Sequence, residues 1–393
     1  MPEHTSNPIV IVGGGIVGCA TAYALSKRTT AKIVVLEQDT SYRQCSTTRS
    51  AGGIRQQFST PENIYLSQVT VALLKNLATE FSPDANLSFR EHGYLLLATQ
   101  IGLPIIAENV AVQNAHGAQT TLLLPDALRQ NFPWLDTTNI AGGSFGPTGE
   151  GWIDPSAFLN LLRQGIRQRG IIIQQARVRE FARTNNHIDS VILDNGDRIS
   201  GAIFVNAAGA WSGELAQSAS IHLPVEPRKR FVYVADTRDA SDALHAAPLI
   251  VDASGVWFRP EGTKFICGVS PTETEEPPAV DLDIIDETPF NDRVWPALAA
   301  RVPAFQSMKL INTWAGYYDY NTFDQNALIG QQGEIDNFFV ASGFSGHGLQ
   351  QAYAAGRALS ELIIDGKFTT IDLSRFSPNR VAANTPIFEK NII

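Results

Sequence analysis

Cysteine is scarce in this 393-residue chain: Cys19, Cys45 and Cys267 stand far apart and form no CxxC pair. That argues against a disulfide framework and a zinc site, and it fits a reducing compartment. The seven histidines show no HExxH-type spacing, so no metal is expected. Basic charge is in deficit, with 30 Lys and Arg against 39 Asp and Glu and a formal net charge of −9. Nucleic-acid binding, which needs concentrated Lys and Arg, is excluded on that ground. Charged residues at 18% and hydrophobic ones at 44% are a globular composition with no disordered signature. One stretch, Thr5 to Ser26, lacks charge and is long enough to suggest a membrane span or signal peptide. Glu3 stands where a basic flank is needed, and Gly13-Gly14-Gly15 breaks the run, so no integral membrane segment is expected. With no targeting segment and no amphipathic anchor evident, the expected location is the cytoplasm, a peripheral place at the inner membrane being left open.

What is present is a series of alternating strand and helix signals. Ile9 to Val12 is a β-branched run suited to a buried parallel strand, Ile16 to about Arg28 reads as a helix, and Lys32 to Leu36 as a second strand. A polar loop from Thr40 to Gly53 follows. Thr60-Pro61-Glu62 predicts a capped helix start, with Leu66, Val69, Leu73 and Leu77 at helical spacing. A strand is expected at Tyr94 to Ala98, a helix from Asp154-Pro155, and a hairpin turning at Asn195-Gly196. Ile203 to Asn206 reads as a strand, residues 272–289 as an acidic, solvated loop, and Leu349 to Ile364 as a helix stopped by Gly366.

Gly13, Gly15 and Gly18 form GxGxxG between the first strand and first helix. The first glycine permits the tight turn, the second a close approach of backbone to a pyrophosphate, and the third close packing of helix on strand. The helix N-terminus presents free N–H groups to phosphate. Glu37, 19 residues after Gly18, ends the second strand where an acid is needed to accept from a ribose hydroxyl. The fingerprint alone does not separate NAD from FAD. The second glycine-rich loop, Cys45 to Gly53, suits close contact with a large flat ligand and favours FAD.

Four separated motifs carry a wider likeness: Gly13 to Gly18 with Glu37, Ser46 to Gly53, Val205-Asn-Ala-Ala-Gly-Ala-Trp211, and Gly343-Phe-Ser-Gly-His-Gly-Leu349. In these the chain resembles the D-amino-acid oxidase and sarcosine oxidase superfamily of FAD enzymes. Within it, the run Trp314-Ala-Gly-Tyr-Tyr-Asp-Tyr-Asn-Thr-Phe-Asp-Gln325 is similar to the subgroup of FAD-dependent oxidoreductase domain-containing protein 1. The resemblance implies a Rossmann-like α/β domain for FAD (1–88, 146–222 and 325–393) interleaved with an antiparallel-sheet α+β substrate domain (89–145 and 223–324). It also implies that the cofactor touches Ile16, Val17 and Gln38 beside the fingerprint. Thr47, Thr48, Arg49, Ser50, Ala51, Gly52 and Gly53 would pass the flavin. Val178 would meet the adenine, and Ala208, Gly209 and Trp211 would lie along the dinucleotide. Gly316 and the turn made by Gly343, Ser345, Gly346, His347, Gly348, Leu349 and Gln350 would hold the pyrimidine end.

The reaction implied is hydride removal from the carbon beside an amine nitrogen, followed by imine hydrolysis. By the same resemblance Arg55 is the expected partner of a substrate carboxylate, His347 lines the site, and Tyr318 and Trp257 wall the pocket. Arg230 and Lys229 are further candidates to reach it. Gln350 and Tyr318 stand where relatives carry a carboxylate-binding lysine or arginine, which counts against a simple amino acid. Tyr317 and Arg49 stand where relatives attach flavin covalently, so FAD is expected to be noncovalent. Ile266 occupies the place of an oxygen-activating lysine, although Lys264 shares its strand face. A dehydrogenase passing electrons to a quinone, a carrier or oxygen is therefore expected ahead of an efficient oxidase. The alternative the subgroup implies is an FAD-binding assembly or scaffold protein for a respiratory complex.

Overall fold

The structure is a computed structural model that describes residues 7–279 and 281–390. Strand Ile9–Val12 is wholly buried and runs parallel to Ile33–Glu37 on one side and Ile203–Asn206 on the other. The sheet they begin has six strands, in the order Leu328–Gln331, Phe338–Ser342, Ile203–Asn206, Ile9–Val12, Ile33–Glu37, Ile172–Gln175, with only Leu328–Gln331 antiparallel. Both faces are covered, which is why its strands read as continuous apolar runs. Ile9, Ile11 and Val35 join the core under helices Ile16–Ser26, Pro155–Gln168 and Gly348–Asp365, while Val10, Val12 and Val34 pack on Phe181, Ile188 and Val191. The latter come from a three-stranded meander, Val178–Thr184, His187–Leu193 and Arg198–Ser200.

The first and last of these helices touch backbone to backbone. A Cβ added at Gly356 would stand 2.6 Å from the carbonyl carbon of Ala20, so only glycine permits the approach. The middle one, Pro155–Gln168, opens as its sequence predicts. Asp154 accepts from the N–H of Ser156 and Ala157, and Phe158, Leu162 and Ile166 are fully buried.

A second sheet has eight strands: Lys309–Asn321, Val225–Asp236, Lys264–Gly268, Trp257–Glu261, Leu249–Val251, Tyr94–Ala98, Gly142–Gly146 and Thr121–Leu123. All neighbours are antiparallel except Leu249–Val251 beside Tyr94–Ala98. One face packs Phe258, Phe265 and Phe305 with ring centroids 4.9 Å apart for the two pairs involving Phe305. The other face carries Tyr94, Leu249, Val251 and Trp257 towards the first sheet. The fold is thus mixed α/β and α+β. Strands Gly53–Ile54 and Gly151–Trp152 form a small bridge beside the cavity between the two sheets.

Local expectations needed adjustment in three places. Thr60 makes no side-chain cap; the Glu389 carboxylate accepts from the N–H of Ser59 and Thr60 and from Asn63 instead. That helix ends at Leu74, and Leu77 belongs to a separate short turn. The acidic segment is not merely solvated. Leu282 is fully buried against Ala210, Ala315 and Tyr317, and Lys229 donates to the carbonyls of Asp281 and Ile284. Of the charge-free stretch, residues 7–26 are described and hold the first strand and helix; Thr5 and Ser6 lie outside. No described helix is long and apolar enough to cross a membrane.

Candidate active site

One cavity of about 820 Å³ runs between the two sheets, a size suited to a large organic ligand. Its first half is backbone. Gly13, at φ +102°, turns where a Cβ would meet the Ala207 carbonyl at 2.2 Å, and one at Gly18 would meet the Gly13 carbonyl at 1.9 Å. Gly15 differs, because a Cβ there would find nothing nearer than Cys45 Sγ and Thr47 Oγ1 at 3.7 Å, so its bare backbone faces the cavity. Gly13, Gly15, Ile16 and Val17 line the wall at the start of the first helix, and Thr47 Oγ1 accepts from the Ile16 N–H. The Glu37 carboxylate accepts from the N–H of Gly14 at 2.7 Å and of Asp39 at 2.9 Å, and burial pushes its pKa up. Gln38, Ala176, Val178 and Arg179 continue this end, tied by the Ala176 N–H to the Glu37 carbonyl. Ala208, Gly209 and Trp211 also line the cavity.

The second half is built from side chains brought from distant segments. Arg55 is 3% exposed and rests over the Phe58 ring at 4.6 Å. Its Nη2 donates to His347 Nε2 at 2.9 Å, its backbone N–H donates to Gln350 Oε1 at 2.7 Å, and its Nη1 has no partner. Because arginine only donates, Nε2 must be the bare nitrogen of His347 and Nδ1 carries the proton. Burial, reinforced by Arg55, pulls the imidazole pKa down to about 3, so the ring is neutral. Gln350 thus positions Arg55.

The turn above them is held by strand Lys309–Asn321. Gly343, Ser345 and Gly346 all have positive φ (74°, 50° and 96°). The Asp319 carboxylate accepts from the Phe344 N–H at 3.1 Å, and the Asp319 carbonyl accepts from the Ser345 N–H at 3.0 Å. Burial raises the Asp319 pKa to about 6. Tyr318 packs so tightly on Gly346 that a Cβ there would lie 2.5 Å from its ring. The Arg230 guanidinium stands 5.4 Å from the Tyr318 ring centroid. Tyr94, Val251 and Trp257 complete an apolar wall.

Most residues expected at the site share this cavity: Arg49, Ser50, Ala51, Gly53, Gly316, Tyr318, Trp257, Ser345, Gly346, His347, Gly348, Leu349 and Gln350 all line it. Four act from behind. Gly18 packs helix on turn, Thr48 donates to the carbonyls of Tyr42 and Cys45, Gly52 sits against Ile153, and Gly343 against Asn321. Lys229 does not line the cavity; its ammonium is engaged by the acidic segment. Neither does Lys264, whose Nζ donates to Asp236, nor Ile266, which is buried in the sheet. Arg49 donates to the carbonyls of Arg43 and Ala315, and Arg259 to that of Ala51, so two guanidiniums brace the second glycine loop. Asp319, Tyr94 and Arg259 were not anticipated; Asp319 lies within the quoted run 314–325, but nothing local marks it as a carboxylate under a turn. No group of metal-ligating side chains occurs among the described residues.

The residues fit FAD. The glycine cradle is open where a pyrophosphate needs backbone, Glu37 is placed for a ribose, and the second loop and the 345–350 segment line the same cavity, beside one orphaned guanidinium edge. A family model described as FAD dependent oxidoreductase matches residues 8–362. FAD-dependent oxidoreductase domain-containing protein 1 of Xenopus laevis is 40% identical, covering 100% of this chain and 85% of that protein. Human mitochondrial dimethylglycine dehydrogenase is 27% identical over 94% of this chain and 44% of its own length. Among solved structures, L-proline dehydrogenase from P. horikoshii superposes with a TM-score of 0.85 at 28% identity, covering 98% of this chain and 100% of that one.

Proposed function

The chain belongs to the FAD dependent oxidoreductase family, and on that basis we propose that it oxidises the C–N bond of an amine or amino acid. Bound FAD would accept the hydride from the carbon beside nitrogen. The observation that carries the reading is the Arg55–His347 pair at the inner end of the same cavity as the glycine cradle, with Arg55 Nη1 unpartnered. A buried guanidinium edge without a partner is costly unless a ligand answers it, and a carboxylate does so best. The apolar wall of Tyr94, Val251 and Trp257 would disfavour an ammonium and hold the nitrogen lone pair free to assist hydride loss.

His347 holds Arg55 in place and takes no proton near neutrality. A rise in kcat/KM with pH would therefore trace the substrate amine, and no histidine limb should appear between pH 5 and 8.

FAD is held without a covalent bond, since Arg49 and Tyr317 stand where relatives attach flavin, and burial keeps the nearby Cys45 thiol protonated. No lysine lines the cavity among the described residues, which favours a dehydrogenase over an oxidase. The test is an anaerobic visible spectrum of the purified holoprotein titrated with sarcosine, proline and D- and L-amino acids. Bleaching of the flavin band by one of them supports the reading. A yellow protein that no amine bleaches overturns it in favour of an FAD-binding scaffold protein.

A further inference from the structure

A second guanidinium reaches the inner end of the cavity. Arg230 lines it beside Tyr318, whose ring packs on Gly346, the residue preceding His347. The series Arg230, Tyr318, His347, Arg55 therefore spans the pocket from one cation to the other. Each arginine keeps an unspent edge: Nη1 of Arg55 and Nε of Arg230 are buried with no partner.

Acids lie near both cations without reaching either unpartnered edge: buried Glu150 interacts with Arg55 at longer range, and Glu276 pairs with Arg230 through Nη1. Arg55 has no ion-paired acid, and His347 is neutral. The Glu276 carboxylate is divided between Arg230 at 2.5 Å and Arg228 at 3.8 Å. Glu226, 3.3 Å from Arg228, is 59% exposed and largely screened. Asp319 is occupied by the Phe344 N–H, and Lys229 faces away into the acidic segment. A substrate with one carboxylate would leave one of the two edges unanswered.

Resting on amine oxidation as the reaction, we propose that the substrate is an amine carrying two acidic groups, one held by Arg55 and the other by Arg230, across the Tyr318 ring. An amino dicarboxylic acid or an N-carboxyalkyl amino acid has this form. Tyr318, in place of a cation, then separates the two subsites and sets the spacing between the acids.

The holoprotein's flavin spectrum serves as the binding signal, with unreactive acids as probes: butyrate against succinate, glutarate and adipate. One of the diacids is expected to bind about tenfold tighter than butyrate or better, since a hydrogen bond to a charged group contributes on that order. Arg230→Gln should remove that advantage and leave butyrate unchanged, Arg230→Lys should keep part of it, and Arg55→Gln should weaken both classes. Equal binding of mono- and diacids by the wild-type protein, a comparison that needs no variant, overturns the proposal. So does a preference that survives Arg230→Gln. If a diacid is preferred but no amine bleaches the flavin, the two-cation site stands and amine oxidation fails. If monoacid amines bleach it and bind as well as diacid ones, amine oxidation stands and this proposal fails.

Discussion

The two ends of the cavity are made of different material. At the nucleotide end, the walls are main chain from short consecutive stretches, with glycine where a methyl group would collide with a carbonyl or occupy the ligand's place. At the inner end, the walls are side chains from residues 55, 94, 230, 257, 318 and 347, brought together by two sheets and a turn. A site made of backbone is specified by spacing and tolerates almost no added atom. A site made of side chains is specified by tertiary packing and can be altered one group at a time. The first end is accordingly where change should be most damaging, and the second where change should retune.

The sharpest test sets two glycines of one motif against each other. Gly18→Ala forces a methyl group into the Gly13 carbonyl and should cost the apoprotein about 3 kcal/mol or more. Gly15→Ala has room and should leave apoprotein melting unchanged while weakening FAD about ten- to hundredfold. Thermal melts and FAD titration separate the two, and equal loss of stability in both would erase the distinction. At the other end, Arg55→Gln should retain the flavin yet lower kcat/KM roughly a hundredfold for any carboxylated amine. Loss of flavin in that variant would mean the two ends are one structural unit.

A smaller effect is expected behind Arg55. Glu150 is buried, accepting from the Gln56 N–H and from Gln57 Nε2, and burial raises its pKa to about 7. A carboxyl whose folded pKa is raised contributes stability in full below its ordinary range and loses it as pH rises through about 7. The wild-type protein should therefore lose on the order of 2 kcal/mol more than Glu150→Gln between pH 5 and pH 8. Parallel melting curves for the two proteins across that range would discount the role.

Legibility followed the same division. Strand, glycine turn, helix, strand and acid from Ile9 to Glu37 were readable because each is a local pattern of period, turn residue or spacing. The helices at Pro155 and Gly348 were readable from their caps and apolar faces. The order of the eight-stranded sheet was not, since it joins Tyr94–Ala98 to Leu249–Val251 across some 150 residues of chain, roughly, with no local signature. Asp319 and Glu150 were missed for the same reason: an acid under a distant turn looks like any surface acid until the turn is placed. Lys229 and the acidic segment misled in opposite directions. The lysine was weighed for the pocket and the segment for the solvent, and the fold joins them to each other.

The contact of Gly356 with Ala20 bears on how the protein is made. The first helix leaves the ribosome more than three hundred residues before the one that seals it, and strand Phe338–Ser342 must be added beside Ile203–Asn206 before the turn at 343–349 exists. During synthesis the glycine cradle lacks the surfaces that residues 338–356 supply until nearly the whole chain has been made. Loading with FAD is then a late event in the life of each molecule, and a nascent chain arrested before about residue 350 would be recovered without flavin.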